Sequence, residues 1–144
     1  MKYPIRNLDI SDYDEMVSLW QQSGLQYRPY GRDSRESLAR EFKRKETCFL
    51  GMYDGKKLIG TIIGTSDGRR GWINRLAVDP DYRGRGLAGE LIAAAEEFLC
   101  SLGLKIIAAL VEDWNAASMS AITKANYLMD DGVIYYSKRE SKDT

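Results

Sequence analysis

Apolar positions change their spacing several times along the chain, and each change marks an element. Tyr13, Met16, Val17, Leu19 and Trp20 recur at near-helical spacing. Ser11-Asp12-Tyr13-Asp14 precedes them as a capping-box-like start, and Gly24 ends the helix. A second, short helix is predicted with Asp33 or Ser34 as cap, running through Leu38 and Phe42 to Lys45. The stretch between, 25–32, is aromatic, basic and broken by Pro29 and Gly31, so it reads as a loop. The period then drops to two. Residues 47–53 and 57–65 read as strands around an Asp54-Gly55 turn, and a turn over 66–71 leads to a third strand at 72–78. Connections this short cannot cross over, so the meander is antiparallel.

The strongest helical pattern follows at 86–102, with Leu87, Leu91, Ile92, Ala95, Phe98, Leu99 and Leu102 on one face and Gly103 at the closing position. Residues 106–111 form a short continuous apolar run and predict a buried strand. A helical crossover of that length makes it parallel to 72–78. A helix at 116–125 and a last strand at 133–138 complete the pattern, with residues 3–6 as a first strand. The fold class is therefore mixed α/β, one sheet with helices on both faces. The length of 144 residues fits one domain, 1–144, ending in a frayed polar tail at 139–144.

Composition removes several chemistries. Lys+Arg and Asp+Glu are 21 each, so a balanced chain of this kind is not built to coat nucleic acid or an anionic membrane, and any anion site must be local. Histidine is absent, which excludes histidine-based nucleophile pairs, an imidazole base and His-containing metal sites. Cys48 and Cys100 match no zinc or redox spacing and read as small buried hydrophobes in a reducing cytosol. The start Met1-Lys2-Tyr3-Pro4-Ile5-Arg6 has no apolar core, and no membrane-length apolar run occurs, so the expected location is cytoplasmic.

The chemistry concentrates in Arg83-Gly84-Arg85-Gly86-Leu87-Ala88-Gly89, which opens the long helix. A helix start presents unpaired N–H groups and partial positive charge, and glycines let backbone approach a ligand. Arg83 and Arg85 add full charges, and Arg69, Arg70 and Arg75 are further candidates to reach the same phosphate or pyrophosphate. Residues 84–89 also spell G-x-G-x-x-G, with Glu112 downstream, but residues 79–83 separate the strand from the first glycine, and the upstream strands form a meander. A dinucleotide fingerprint needs strand, glycine and helix in direct succession. No P-loop sequence exists.

The segment Leu76-Ala77-Val78-Asp79-Pro80-Asp81-Tyr82-Arg83-Gly84-Arg85-Gly86-Leu87-Ala88 closely resembles the acyl-CoA motif of the GNAT superfamily of N-acetyltransferases. That motif, [Q/R]-x-x-G-x-[G/A], is met by Arg83, Gly86 and Ala88, and the element order matches nearly the whole chain. The resemblance implies a GNAT-like fold whose strands splay apart near Val78 and Val111, with acetyl-CoA as cosubstrate and no metal. It implies that backbone groups of Leu76, Ala77 and Val78 bond the pantetheine arm, that amides from Arg83 to Gly89 cradle the pyrophosphate, and that Asn115 and Ser118 touch the cofactor. The backbone N–H of Val78 would meet the oxyanion. The tyrosine that commonly protonates the departing thiolate is Ile122 here, and Asn126 stands in place of a glycine.

An alkylamine is mostly protonated at neutral pH, so a base or a water relay must free it. Glu112, at the end of the parallel strand, is the first candidate, with Asp113 a weaker one. Tyr135 and Tyr136 alternate, so one of them faces the cleft; Asn74 and Arg75 alternate likewise. By resemblance the loop between the first two helices covers the acceptor, which makes Tyr27, Arg28, Tyr30 and Arg32 pocket candidates, with Trp72, Trp114 and Asn74 as walls or orienters. Two arginines there fit an anionic acceptor and fit a solvated loop equally well. The expected activity is acetyl transfer to a primary amine of a small molecule or peptide. The alternative is a non-catalytic acyl-CoA-binding sensor or regulatory module, motivated by Ile122 and the lack of any histidine. Nucleic acid and membrane are not expected partners, whereas a homodimer fits the family's habits.

Overall fold

The computed structural model describes residues 3–144; Met1 and Lys2, part of the leader reading above, lie outside the described residues. Five strands form one sheet in the order β1-β2-β3-β4-β5: β1 Ile5–Asn7, β2 Thr47–Asp54, β3 Lys57–Ser66, β4 Gly71–Val78 and β5 Ile107–Ala109. The first four run antiparallel to their neighbours, and β5 lies parallel to β4. Helices α1 (Tyr13–Gln22) and α2 (Arg35–Phe42) cover one face. Helices α3 (Leu87–Ser101) and α4 (Ala116–Lys124) cover the other.

Alternation along the central strands feeds two cores. Phe49, Tyr53, Leu58 and Ile63 pack with Met16, Trp20 and Leu38 on the α1–α2 side. Met52, Ile59, Ile62, Ile73 and Leu76 pack with Leu91, Ile92 and Leu99 on the other. A strand buried on both faces must be apolar at nearly every position, which is why β3 reads as a continuous run. Gly60, Gly64 and Gly71 stand under α3; a Cβ on Gly71 would lie 2.9 Å from Leu99, so the helix seats directly on the backbone there.

Several expectations need correction. The capping box belongs to a 3-10 turn at Ile10–Asp12 that leads into the first helix: Asp9 accepts from Ser11 N–H, and Asp12 answers by accepting from Asp9 N–H at 3.0 Å. Asp12 stands at the N-cap of α1 without a side-chain cap bond to it. The helix expected to reach Lys45 stops at Phe42. Leu102 and Cys100 are exposed, because α3 turns those positions away from the sheet. The strand expected over 106–111 shrinks to three half-buried residues, with Leu110 60% exposed. The last strand does not form: Val133, Ile134, Tyr135 and Tyr136 are 64–86% exposed and pair with no strand. Both changes have one origin, since β5 is an edge whose outer side finds no neighbour. Residues 139–144 fold back, with Arg139 donating to the Thr144 main-chain oxygen at 3.0 Å and Asp143 resting on Gly31.

Candidate active site

Strand β4 carries a bulge that sets the site's geometry. Ile63 pairs with Asn74 and Thr61 with Ala77, so β4 holds an extra residue there, and Arg75 adopts φ 54°. Its side chain turns toward α1, lies 4.6 Å over the Trp20 ring and donates to Asp33 at 2.7 Å and to the Gln26 carbonyl. Trp20 donates to Thr61 Oγ1, which donates to the Arg75 carbonyl at 3.0 Å. The bulge is thus pinned from both faces.

Beyond the bulge β4 parts from β5. The two pair only between Gly71–Ile73 and Ile107–Ala109, so a wedge opens between residues 74–78 and the segment after Ala109. Asp79 N–H donates to Ile59 and Ala77 faces Thr61, so alternation directs the peptide groups of Leu76 and Val78 away from β3 into that wedge. The Val78 carbonyl accepts from Arg83 Nε at 3.2 Å.

The turn into α3 is built by Asp79, which is buried, accepts from Asp81 N–H at 2.9 Å and lies 3.4 Å from Lys57 Nζ. Tyr82 donates to Asp54 at 2.6 Å and fixes the far side of the turn. Gly84 and Gly86 sit at φ 79° and 74°, conformations that side chains resist. Gly86 occupies the N-cap without any side-chain cap, and the first helical bond runs from Glu90 to Gly86. The amides of Leu87, Ala88 and Gly89 therefore precede the ladder, and a Cβ at 84, 86 or 89 would meet nothing within 4 Å. An open, donor-rich helix start of this form fits a diphosphate. Arg83 and Arg85 stand beside it, Arg85 resting 5.0 Å over Tyr82 and donating to Tyr3. Arg69 and Arg70 do not join them: they precede β4 while the glycine turn follows it, about 25 Å of strand away. Arg75 is committed to Asp33.

On the α1–α2 side of the wedge lies a cavity of about 680 Å³. It collects Trp72, Asn74, Arg32, Trp114, Glu112, Asn115, Ser118 and Tyr135 from the sequence-derived candidates. Tyr136 points elsewhere and is 86% exposed. Tyr27, Arg28 and Tyr30 do not line the cavity: Tyr27 meets the Tyr13 hydroxyl at 3.0 Å, Arg28 N–H donates to Asp33 at 2.8 Å, and Tyr30 is 90% exposed. Asn115 caps α4 by accepting from Ser118 N–H at 3.1 Å, which leaves its amide NH2 free for a ligand. Ile122 lines the cavity, as the tyrosine of the family pattern would.

Several lining residues carry no local sequence signal. Glu41 and Arg44 come from the end of α2 and Arg139 from the far C-terminal segment. Burial pushes the Glu41 carboxyl above the ordinary carboxylate range, with Asp33 adding to the effect. Its position three residues after the buried Leu38 was the available clue. Asp67 behaves oppositely: the Trp72 indole N–H and the Arg70 and Arg69 amides bring it down to about 2. Among the described residues, no cluster of His, Cys, Asp or Glu is placed to hold a metal ion, and no helix is long and apolar enough to cross a membrane.

Comparison with known proteins converges on this geometry. The sequence profile described as "Acetyltransferase (GNAT) family" matches residues 10–127. An acetyltransferase of Sodalis glossinidius is 34% identical over 139 residues, 96% of each chain. One from Yersinia enterocolitica is 31% identical over 130 residues, 90% of this chain and 91% of that one. The paia N-acetyltransferase from Thermoplasma acidophilum, solved with coenzyme A, superposes with a TM-score of 0.75 at 24% identity, covering 86% of this chain and 88% of that one. AAC(6')-Iy in complex with a bisubstrate analogue gives a TM-score of 0.78 at 18% identity, covering 96% and 99%.

Proposed function

The chain belongs to the acetyltransferase (GNAT) family, and from that premise we propose that it moves an acetyl group from acetyl-CoA to a primary amine of a small molecule or peptide by direct attack on the thioester. The observation that carries the reading is the glycine turn at 84–86 feeding the open start of α3 beside a wedge between β4 and β5. The amides of Gly84 to Gly89, with Arg83 and Arg85, hold the diphosphate. The outward peptide groups of Leu76 and Val78 hold the pantetheine arm, with Asn115 and Ser118 on the opposite wall. Small-molecule acceptors fit the cavity's volume, and the AAC(6')-Iy complex carries the bisubstrate analogue CoA-S-monomethyl-acetylneamine on the same fold.

Within that frame, Glu112 takes the proton from the incoming amine, directly or through water, and the Val78 N–H meets the oxyanion. A thiolate, with a reference pKa of about 8.5, leaves without a strong acid, so Ile122 is compatible with turnover. A second reading, an acyl-CoA-binding sensor without turnover, draws on Ile122 in the cavity lining and on the lack of any histidine. A thiol-release assay over a panel of amines separates the two. Transfer is expected, with Glu112→Gln lowering kcat by about a hundredfold or more. Calorimetric binding of acetyl-CoA with no release for any amine would hand the case to the sensor reading.

A further inference from the structure

The charges around the cavity are sorted by end. At the α1–α2 end Asp33 is buried and already holds Arg75 at 2.7 Å and the Arg28 main-chain N–H at 2.8 Å, while Arg32 Nε stands 4.0 Å away. Arg44 lines the cavity and, among the described residues, forms no ion pair, while Arg139 lines it and donates to the Thr144 main-chain oxygen at 3.0 Å. Arg28 stands behind the lining, its Nη2 donating to Gln26 Oε1 at 3.4 Å. The other end is acidic: Glu112 and the turn-held Asp67 lie where β5 and the β3–β4 turn meet the cavity.

We propose that the acceptor is an amine that also carries an anionic group, a carboxylate or a phosphate, read by Arg32 with Arg139 and the surrounding arginine cluster while the amine faces Glu112. This rests on the acetyl-transfer reading above and narrows its acceptor. Burial first, and then Arg75, Arg139 and Arg28, hold Arg32 below the ordinary arginine range, although Asp33 pulls the other way. Four arginines that line the cavity, Arg32, Arg44, Arg75 and Arg139, outnumber the two carboxylates beside them, Asp33 and Glu41. Glu41 is the second carboxyl at that end, and burial, with Asp33 beside it, raises it above the ordinary carboxylate range. Planar guanidinium groups suit a carboxylate or phosphate through paired N–H donors. A polycation would place positive charge against this same end.

The test compares matched acceptors with acetyl-CoA and the full chain. Glycine, β-alanine and 4-aminobutanoate are set against their amides, and phosphoethanolamine against ethanolamine. A polyamine and an aminoglycoside serve as cationic acceptors. The anionic member of at least one pair is expected to lead in kcat/KM by about tenfold or more. Arg32 is 45% exposed, so Arg32→Gln leaves the fold intact. It should erase most of that lead by raising KM for the anionic member toward that of its neutral partner. Carboxylate and phosphate arms identify which anion is read. Preference for the cationic acceptors, equal rates within every pair, no transfer to any anionic amine, or a lead that survives Arg32→Gln overturns the inference. Acetyl-CoA binding and transfer to the cationic acceptors report separately on the parent reading.

Discussion

At the scale of single residues, Arg75 holds the most consequential position. A non-glycine residue in the left-handed region costs roughly 1–2 kcal/mol, and here it is offset by the ion pair with Asp33 and the stack on Trp20. The pair is nearly dry, its side chains 15% and 5% exposed. Removing one partner strands the other charge, a change worth about 3–5 kcal/mol in buried pairs. Arg75→Ala is therefore expected to lower unfolding stability by about 3 kcal/mol in urea titration. Arg75→Gly should recover about 1 kcal/mol of that loss, because glycine accepts the backbone angle. Equal stability of the two variants would show that the bulge carries no strain. Nothing in the sequence around Asn74 and Arg75 announces this: a bulge is a mismatch between two strands and is invisible in either alone. The same holds for Glu41, Arg44 and Arg139, which meet across about a hundred positions of chain. Tyr27 and Tyr30 fail for the reverse reason. Their aromatic composition was plain, but whether a loop residue faces cavity, core or solvent depends on a neighbour, here Tyr13.

At the scale of elements, local chemistry made the glycine turn and α3 legible. The run 83–89 specifies both its backbone angles and its donors, and Gly103 closes the helix at φ 84° where the sequence placed it. This pairing supplies its own control. Gly86→Ala and Gly103→Ala each force a side chain into a left-handed angle at the two ends of the same helix. Both should lower the melting temperature of the free protein by a similar amount. Only Gly86→Ala should weaken acetyl-CoA binding, by about tenfold in calorimetry, since it alone moves the amides of Leu87 to Gly89. A matched loss in Gly103→Ala would trace the effect to helix stability instead of ligand contact. The strands were less evenly readable. The β2–β3–β4 meander follows from turns and period two, whereas β5 and residues 133–138 have strand composition but depend on partners that composition does not reveal.

Viewed as a whole molecule, the sheet has two edges, β1 and β5. Among the described residues no strand pairs with the outer side of β5, yet Leu128, Met129, Val133, Ile134, Tyr135 and Tyr136, after α4, expose 64–95% of their surface. An open edge next to an apolar segment invites pairing with another chain. Aromatic side chains bury on the order of 150–250 Å² each and the aliphatic ones somewhat less. With Tyr135 turned to the cavity, the other five side chains from each of two copies still reach roughly the 1,200–2,000 Å² that specific interfaces cover. A second copy of this chain would satisfy the edge and the apolar strip by one symmetric contact. Sedimentation at micromolar concentration is expected to give twice the 16.3 kDa of the chain. Ile134 and Tyr136 are 75% and 86% exposed and do not line the cavity, so Ile134→Asp with Tyr136→Asp should yield a folded monomer with an unchanged circular-dichroism spectrum. A wild-type chain that sediments as a monomer up to about 100 µM would leave the strip without the partner argued for it.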